Sequence, residues 1–202
     1  MPKKVLVLLA EGFEEVEAIT PIDYLRRAGI DVTIAAVGLK LSGKCPVVKG
    51  SHGIQIAADM ELGTLLAEKK LVPDHWDGVV VPGGLPGSDN LAASKELGVF
   101  LQAMDKAGKL VSAICAAPAR VLSPLGLLAN KRFTCYPGEE VKVLASGSAS
   151  SSAVWKKDRV VSDRNLITSR GAGTAGEFAC AVISKLLTVA DGKKLAERVL
   201  LS

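Results

Sequence analysis

The chain has 202 residues, 49% of them hydrophobic and 23% charged, which is enough for one well-buried core and short for two, so a single unit over residues 1–202 is expected. The net charge of +4 is scattered over pairs such as Lys3-Lys4, Arg26-Arg27, Lys131-Arg132 and Lys156-Lys157, with no basic stripe interleaved with aromatics, which argues against a nucleic-acid partner. No apolar run approaches the ~20 residues of a membrane span, and the signal-like start is cut short at Glu11, so the expected setting is the cytoplasm.

In chain order, Val5 to Ala10 is an apolar run that suits a strand buried on both faces, and a helix follows it, ending at Ala28-Gly29. Val16, Ile19, Ile22 and Leu25 recur at near-helical spacing, Gly29 is a C-terminal stop, and Pro21 should kink the helix or start a straighter segment. Asp31 to Val37 is a second strand, so the first crossover should be right-handed and parallel. Gly38 to Asp59 is punctuated by glycines and Pro46 and is read as a β-hairpin or edge excursion. Glu61 to Lys70 is read as a helix, residues 73–78 as a turn, and Val79 to Val81 as a strand closed by Pro82-Gly83-Gly84. Helical stretches at Asn90 to Ala93 and Lys95 to Ala107 lead into a buried strand, Leu110 to Ile114, which turns at Cys115 into a helix that opens with Pro118 in its first turn.

Beyond this point Arg132 to Cys135 is a short strand and Gly138 to Leu144 a helix. Ala145 to Ala153, with five serines in nine residues, is a polar loop; it is not read as a domain linker, because the roughly fifty residues after it hold too little core to fold alone. Val154 to Val161 and Asn165 to Ser169 are the last strands, and Gly173 to Val189 is a terminal helix with a broad apolar face built on Phe178, Val182 and Leu186. Strands alternating with helices predict a three-layer α/β sandwich, with a mostly parallel sheet and helices on both faces. Ligands of such sheets sit beyond the strand C-termini near a topological switch point, and three segments meet that description: residues 11–17, 82–84 and 115–118.

The chemistry-bearing candidates lie in those segments. Cys115, at a strand-turn-helix flanked by Ala113 and Ala117, has the outline of a nucleophile elbow, where unpaired N–H groups at a helix start would favour its thiolate. The competing reading is a small buried hydrophobe. Glu14, Glu15 and Glu17 all follow the first strand; they suit either a helix dipole or an acid-base partner of raised pKa beside the cysteine. Gly83 and Gly84 allow close backbone approach and could join Ala116 around an oxyanion, or simply serve a turn. Thr168 to Thr174 is an anion-holding helix start or a plain cap. Both histidines precede Cys115, and His75 falls before its strand at the opposite edge, so a Cys-His pair is not expected. The four cysteines, at 45, 115, 135 and 180, lack C-x-x-C spacing and are read as reduced thiols, with neither a disulfide framework nor a metal site.

Taken together, Ala10-Glu-Gly-Phe-Glu-Glu-Val-Glu17, Pro21-Ile-Asp23 through Gly29, Val81-Pro-Gly-Gly84, Ala113-Ile-Cys115-Ala-Ala-Pro118 and Ile167-Thr-Ser-Arg-Gly171 with Gly173-Thr174 resemble the ThiJ/PfpI superfamily, in the branch of the Parkinson-disease protein deglycase and bacterial YajL. The resemblance implies a flavodoxin-like homodimer without a cofactor, with Cys115 as reactive thiolate and Glu17 as its protonated partner. Gly83, Gly84 and Ala116 would form the backbone pocket, and Tyr136, Gly171 and Ala172 would lie near it. The activity it implies is that of a glutathione-independent glyoxalase or deglycase on small α-oxoaldehydes such as methylglyoxal, a reactive carbonyl substrate. The alternative is an oxidative-stress sensor or chaperone that oxidises the same cysteine. A thiazole-phosphate biosynthesis label also travels with the superfamily, but no phosphate-specific motif supports it here. Two departures stand out. Cys135-Tyr136-Pro137 replaces a histidine of many members, with Cys135 as a conceivable resolving thiol, and Ala116 replaces the histidine that follows the nucleophile in protease-like members, which argues against proteolysis.

Overall fold

The computed structural model describes residues 1–38, 46–145 and 147–201. Cys45 and most of the connection from Gly38 to Pro46 lie outside the described residues, as does Ser146 of the serine-rich loop.

The central sheet has seven strands in the order β10-β11-β7-β6-β1-β2-β5. These are β1 (Lys4–Leu9), β2 (Asp31–Ala36), β5 (Met60–Glu61), β6 (Gly78–Val81), β7 (Leu110–Ile114), β10 (Val160–Asp163) and β11 (Leu166–Ser169). All pairings are parallel except β10 with β11, an antiparallel edge hairpin. The apolar runs alternate as buried strands must. Leu6, Leu8, Val79, Val81, Val111 and Ala113 pack on one face against α2 (Leu62–Ala67), α3 (Gly87–Ala92) and α4 (Lys95–Lys106). Val5, Val7, Leu9, Val80, Leu110 and Ile114 pack on the other, against α1 (Glu15–Arg27), α6 (Ala175–Leu186) and α7 (Val189–Arg198). This is the expected three-layer sandwich of flavodoxin-like type.

Several boundaries differ from the sequence reading. α1 begins at Glu15, inside the segment 11–17 that follows the first strand, because the Glu14 side chain accepts the Glu17 N–H and caps it, and the helix runs on through Pro21 to Arg27. The excursion after β2 contains a hairpin, β3 (Val47–Lys49) with β4 (Gln55–Ala57), as expected. α2 is a turn shorter than expected at its C-terminus. The segment after Cys115 is not a regular helix but one π-type turn, Pro118–Leu122, followed by turns to Asn130. The single strand expected over Val154 to Val161 is divided: β9 (Val154–Trp155) pairs with β8 (Arg132–Phe133) in a separate ribbon, and β10 joins the main sheet. α5 (Glu140–Leu144) lies within its expected range. The terminal helix stops at Leu186, and a further helix, α7, follows. α7 buries little besides Gly192 and Leu195, so it has no broad apolar stripe to betray it, although its Thr188–Asp191 capping box is legible in the sequence.

Glu15 is 3% exposed. Its carboxylate accepts the main-chain N–H of His52 at 2.7 Å and of Ile54 at 3.3 Å, and pairs with His52 Nδ1 at 2.8 Å. Burial pushes this carboxyl up, but the bonds from His52 and Ile54 outweigh it and hold Glu15 below the ordinary range. The residue therefore ties the β3–β4 turn to the first turn of α1. Glu15→Ala should cost roughly 1–3 kcal/mol in chemical denaturation, since it strands these donors, and should speed amide exchange at His52 and Ile54. Unchanged exchange at those amides would show that the turn holds itself.

Candidate functional site

The connections out of β1 and β6 leave toward opposite edges of the sheet, so the topological switch point lies between these strands. The register places Val81 beside Ala113 and Ile114 beside Ser169, which brings the loops after β6, β7 and β11 to one level. The loop after β1 joins them: Glu14 N–H donates to the Gly83 carbonyl and Gly87 N–H to that of Gly12.

Cys115 sits at the sharp turn with φ +64°, a left-handed conformation that a non-glycine residue adopts at a cost of about 1–3 kcal/mol. Neighbouring strands hold it there. Its N–H donates to Ser169 O at 2.9 Å, and its carbonyl accepts the Tyr136 N–H at 2.8 Å. Arg120, one turn on, braces the elbow with paired bonds to Glu139 and Asp89, an arrangement assembled from distant segments that no local pattern announces. The N–H groups of Ala116 and Gly84 lie near the sulfur and favour its thiolate.

Of the three glutamates, only Glu17 faces Cys115. It is 1% exposed and lies beside the Cys115 side chain, and its Oε2 accepts the Gly83 N–H at 2.9 Å. The Gly83 N–H is thus taken by Glu17 and is not aimed at an oxyanion beside Ala116, which corrects the sequence expectation. A Cβ at Gly83 would lie 2.5 Å from Glu17 Oε2 and 2.6 Å from Cys115 Cβ, so only glycine lets strand end, carboxyl and thiol meet. At Gly84, φ is +91° and a Cβ would strike the Glu14 nitrogen.

Burial pushes the Glu17 carboxyl up to about 7, the nearby Glu14 adds to this, and the bonds from Cys115, Gly83 and Ala172 only partly offset it. Burial and the adjacent Glu17 also push the Cys115 thiol well above its ordinary value, against the two N–H groups that favour its thiolate. The sequence reading credited a helix start with a low thiol pKa; with one π-type turn in place of that helix, the opposing effects win. Two anions this close repel, so the pair retains at least one proton at neutral pH.

The remaining candidates fall around this pair. Tyr136 is exposed on the rim: its ring carbon Cδ2 and Glu17 Oε1 lie 3.6 and 3.7 Å from the point a Gly171 Cβ would occupy. Gly171 therefore lies beside both Tyr136 and Glu17. The hydroxyls of Ser169 and Thr174 turn inward to bond each other, which leaves the 168–174 segment a closed turn rather than an anion site. Cys135 is buried, and burial with Glu140 and Glu139 pushes its thiol up to about 12, which disfavours it as a resolving nucleophile. His75 lies in a 3₁₀ turn before β6, away from the elbow. Among the described residues, the group whose ligand atoms could gather a cation is Glu14, Glu15 and His52, within 4.8 Å of one another, and there Glu15 is already bonded to the hairpin. No helix of the described residues is long and apolar enough to cross a membrane.

The family model described as the DJ-1/PfpI family matches residues 3–185. The chain belongs to the DJ-1/PfpI family. Among its DJ-1 relatives, Protein dj-1beta of Drosophila melanogaster is 38% identical over 202 residues, which cover 100% of this chain and 99% of that one. The crystal structure of that Drosophila protein superposes with a TM-score of 0.85 and covers 100% of both chains. Protein DJ-1 homolog B of Arabidopsis thaliana is 39% identical over 98% of this chain, and the chain spans 40% of that relative's own length. A Caenorhabditis elegans DJ-1 relative, 34% identical over 91% of this chain and 89% of its own, bears the name glutathione-independent glyoxalase DJR-1.2.

Raised above its unfolded value, the Glu17 carboxyl stabilises the fold fully below about 4.5, and that contribution is lost as pH rises toward about 7. Glu17→Gln, which cannot ionise, should therefore gain on the wild type as pH rises through this window, by roughly 1–3 kcal/mol. Chemical denaturation near pH 4 and pH 8 measures this. A constant difference at both pH values would remove Glu17 as a group titrating in that window.

Proposed function

We propose that this protein is a cofactor-independent glyoxalase acting on small α-oxoaldehydes such as methylglyoxal. The observation that carries the reading is the Cys115–Glu17 pair, a buried carboxyl whose Oε2 accepts the Gly83 N–H beside a partly buried thiol, with the N–H groups of Ala116 and Gly84 near the sulfur. The glyoxalase name of the C. elegans relative supports it.

In the reactive form the proton is on Glu17 and Cys115 is a thiolate. The sulfur attacks the aldehyde carbon, a C–S bond forms, and the alkoxide takes the Glu17 proton to give a hemithioacetal. Glu17, now a carboxylate, removes the hydrogen from that carbon and returns it to the neighbouring one through an enediol, which leaves a thioester. Water hydrolyses the thioester, releasing lactate and the thiol. A carboxyl that ionises near 7 suits both halves of this shuttle, being protonated for the first and basic enough for the second. The oxyanion donors are the N–H groups of Ala116 and Gly84, with Tyr136, Gly171 and Ala172 bounding the substrate. Protein deglycation would follow the same course once the hemiaminal or hemithioacetal breaks its C–N or C–S bond, releasing the protein amine or thiol and freeing the aldehyde that Cys115 then attacks.

A second reading has its own support. The donors around the sulfur, together with a protonated Glu17, also suit a cysteine sulfinate, formed as peroxide oxidises the thiolate in two steps and is reduced to water. That would make the site an oxidative-stress sensor, or the trigger of a chaperone.

The reading takes the cytoplasm as its setting, where a thiol stays reduced, and a homodimer as the working form. For the dimer contact we favour the face of α1 that exposes Val16 and Ile19, with Ile54 on the hairpin tied to that helix by Glu15.

Wild-type protein should convert methylglyoxal to lactate without glutathione. Cys115→Ala should abolish this, and Glu17→Gln should lower kcat at least ~100-fold with the fold intact, the usual weight of a general acid-base. Lactate detection with matched circular dichroism spectra checks both. Lactate formation by Cys115→Ala would exclude the thiolate mechanism.

A further inference from the structure

Arg120 lies one turn beyond the elbow, where its main-chain N–H donates to the Ala116 carbonyl at 2.9 Å. Its side chain is only 22% exposed and grips two segments at once. Nη1 donates to both Asp89 oxygens, at 2.9 and 3.1 Å, while Nε and Nη2 each donate to one oxygen of Glu139, both at 3.0 Å. The Glu139 pair is the bidentate kind that a planar guanidinium makes with a carboxylate and an ammonium cannot copy. Asp89 lies on α3, whose first turn is bonded to the Gly84 loop, the Ser88 N–H donating to the Gly84 carbonyl at 2.9 Å.

Glu139 ends the turn that carries Tyr136. Its N–H donates to the Tyr136 carbonyl at 3.1 Å, and the Tyr136 N–H donates to the Cys115 carbonyl at 2.8 Å. The turn is thus fixed to the elbow twice, by a main-chain bond at its start and by Arg120 at its end. Lys142 also bonds Glu139, but it lies three residues on in the same segment and adds no tie to the elbow. The point a Gly171 Cβ would occupy is 3.6 Å from the Tyr136 ring and 3.7 Å from Glu17 Oε1, so the ring stands beside the carboxyl and limits the width of the opening above it.

We propose that Arg120 is a specificity-determining residue: by holding Glu139 it fixes the Tyr136 ring across the opening to Cys115, so that slim electrophiles pass and those carrying a ring do not. The bonds of Arg120 go to Ala116, Asp89 and Glu139, so it is a positioning residue that acts through Tyr136. The inference deepens the reading of this site as one for small α-oxoaldehydes, and rests on that reading for its substrate class.

Alkylation of Cys115 tests it without turnover, which separates its failure from a failure of the glyoxalase reading. Iodoacetamide and iodoacetanilide react alike, the thiolate sulfur forming a C–S bond as iodide leaves, and they differ by a phenyl ring. The ratio of their rates, read on the Cys115 peptide by mass spectrometry, cancels any change in thiolate fraction. In Arg120→Gln the iodoacetanilide-to-iodoacetamide ratio should rise at least about fivefold, within what one charge-assisted bond controls. Glu139→Ala, which leaves Arg120 nothing to hold on that side, should give the same rise, and matched circular dichroism spectra establish that both variants fold. Tyr136→Ala should raise the ratio by itself, and adding Arg120→Gln to it should change nothing more. Where the wild type turns over methylglyoxal, Arg120→Gln should shift kcat/KM toward phenylglyoxal in the same proportion. A wild-type ratio in a folded Arg120→Gln or Glu139→Ala, or a further full rise when Arg120→Gln is added to Tyr136→Ala, would overturn the proposal.

Discussion

A buried carboxyl and a partly buried thiol are held side by side, and most of the local structure serves to keep them there. Glu17 is almost wholly buried, yet its carboxyl is not left unpaired: its Oε2 accepts the Gly83 N–H, and the Cys115 side chain lies beside it. Burial without those bonds would leave a buried polar group unpaired, a state folded proteins avoid. The bonds without burial would leave an ordinary glutamate that ionises near 4.5. The combination places its titration at neutral pH, where a group that must both give and take a proton is of use.

The scaffold supplies the coincidence of loops this needs. A parallel sheet buried on both faces puts all its C-terminal ends at one edge, and the reversal of winding between β1 and β6 opens a crevice there. Cys115 is then held in a left-handed conformation by bonds to strands and turns far away in sequence, through Ser169 and Tyr136. The Arg120 brace to Asp89 and Glu139 does the same for the turn that follows. The thiol is therefore presented by a backbone that its neighbours over-determine, which is how a strained residue persists.

The three glutamates of residues 14–17 show where local reading ends. Each is an acid in the same short segment, and at 100° per residue a helix sends them in different directions. Glu14 caps α1, Glu15 secures a hairpin, and Glu17 meets the thiol. The resemblance to a known family selected Glu17; the pattern of charges alone did not. Gly83 is a similar case. Its lack of a side chain was read correctly as permission for close approach, but its N–H serves the carboxyl and is not free for a substrate oxygen.

By itself the sequence determined the layering, the parallel sheet and the cysteine at a tight turn, because these follow from apolar periodicity and from residues whose backbone preferences are local. It carried boundaries less well where a short or weakly apolar segment leaves no periodic trace, as with α7 and the divided strand at β9 and β10. Only the tertiary structure decided which acid faces the thiol, which N–H group points at it, and that burial outweighs the local donors at Cys115. The physical reason is that desolvation and charge proximity depend on distances between segments far apart in the chain, and those distances exist only once the loops have met.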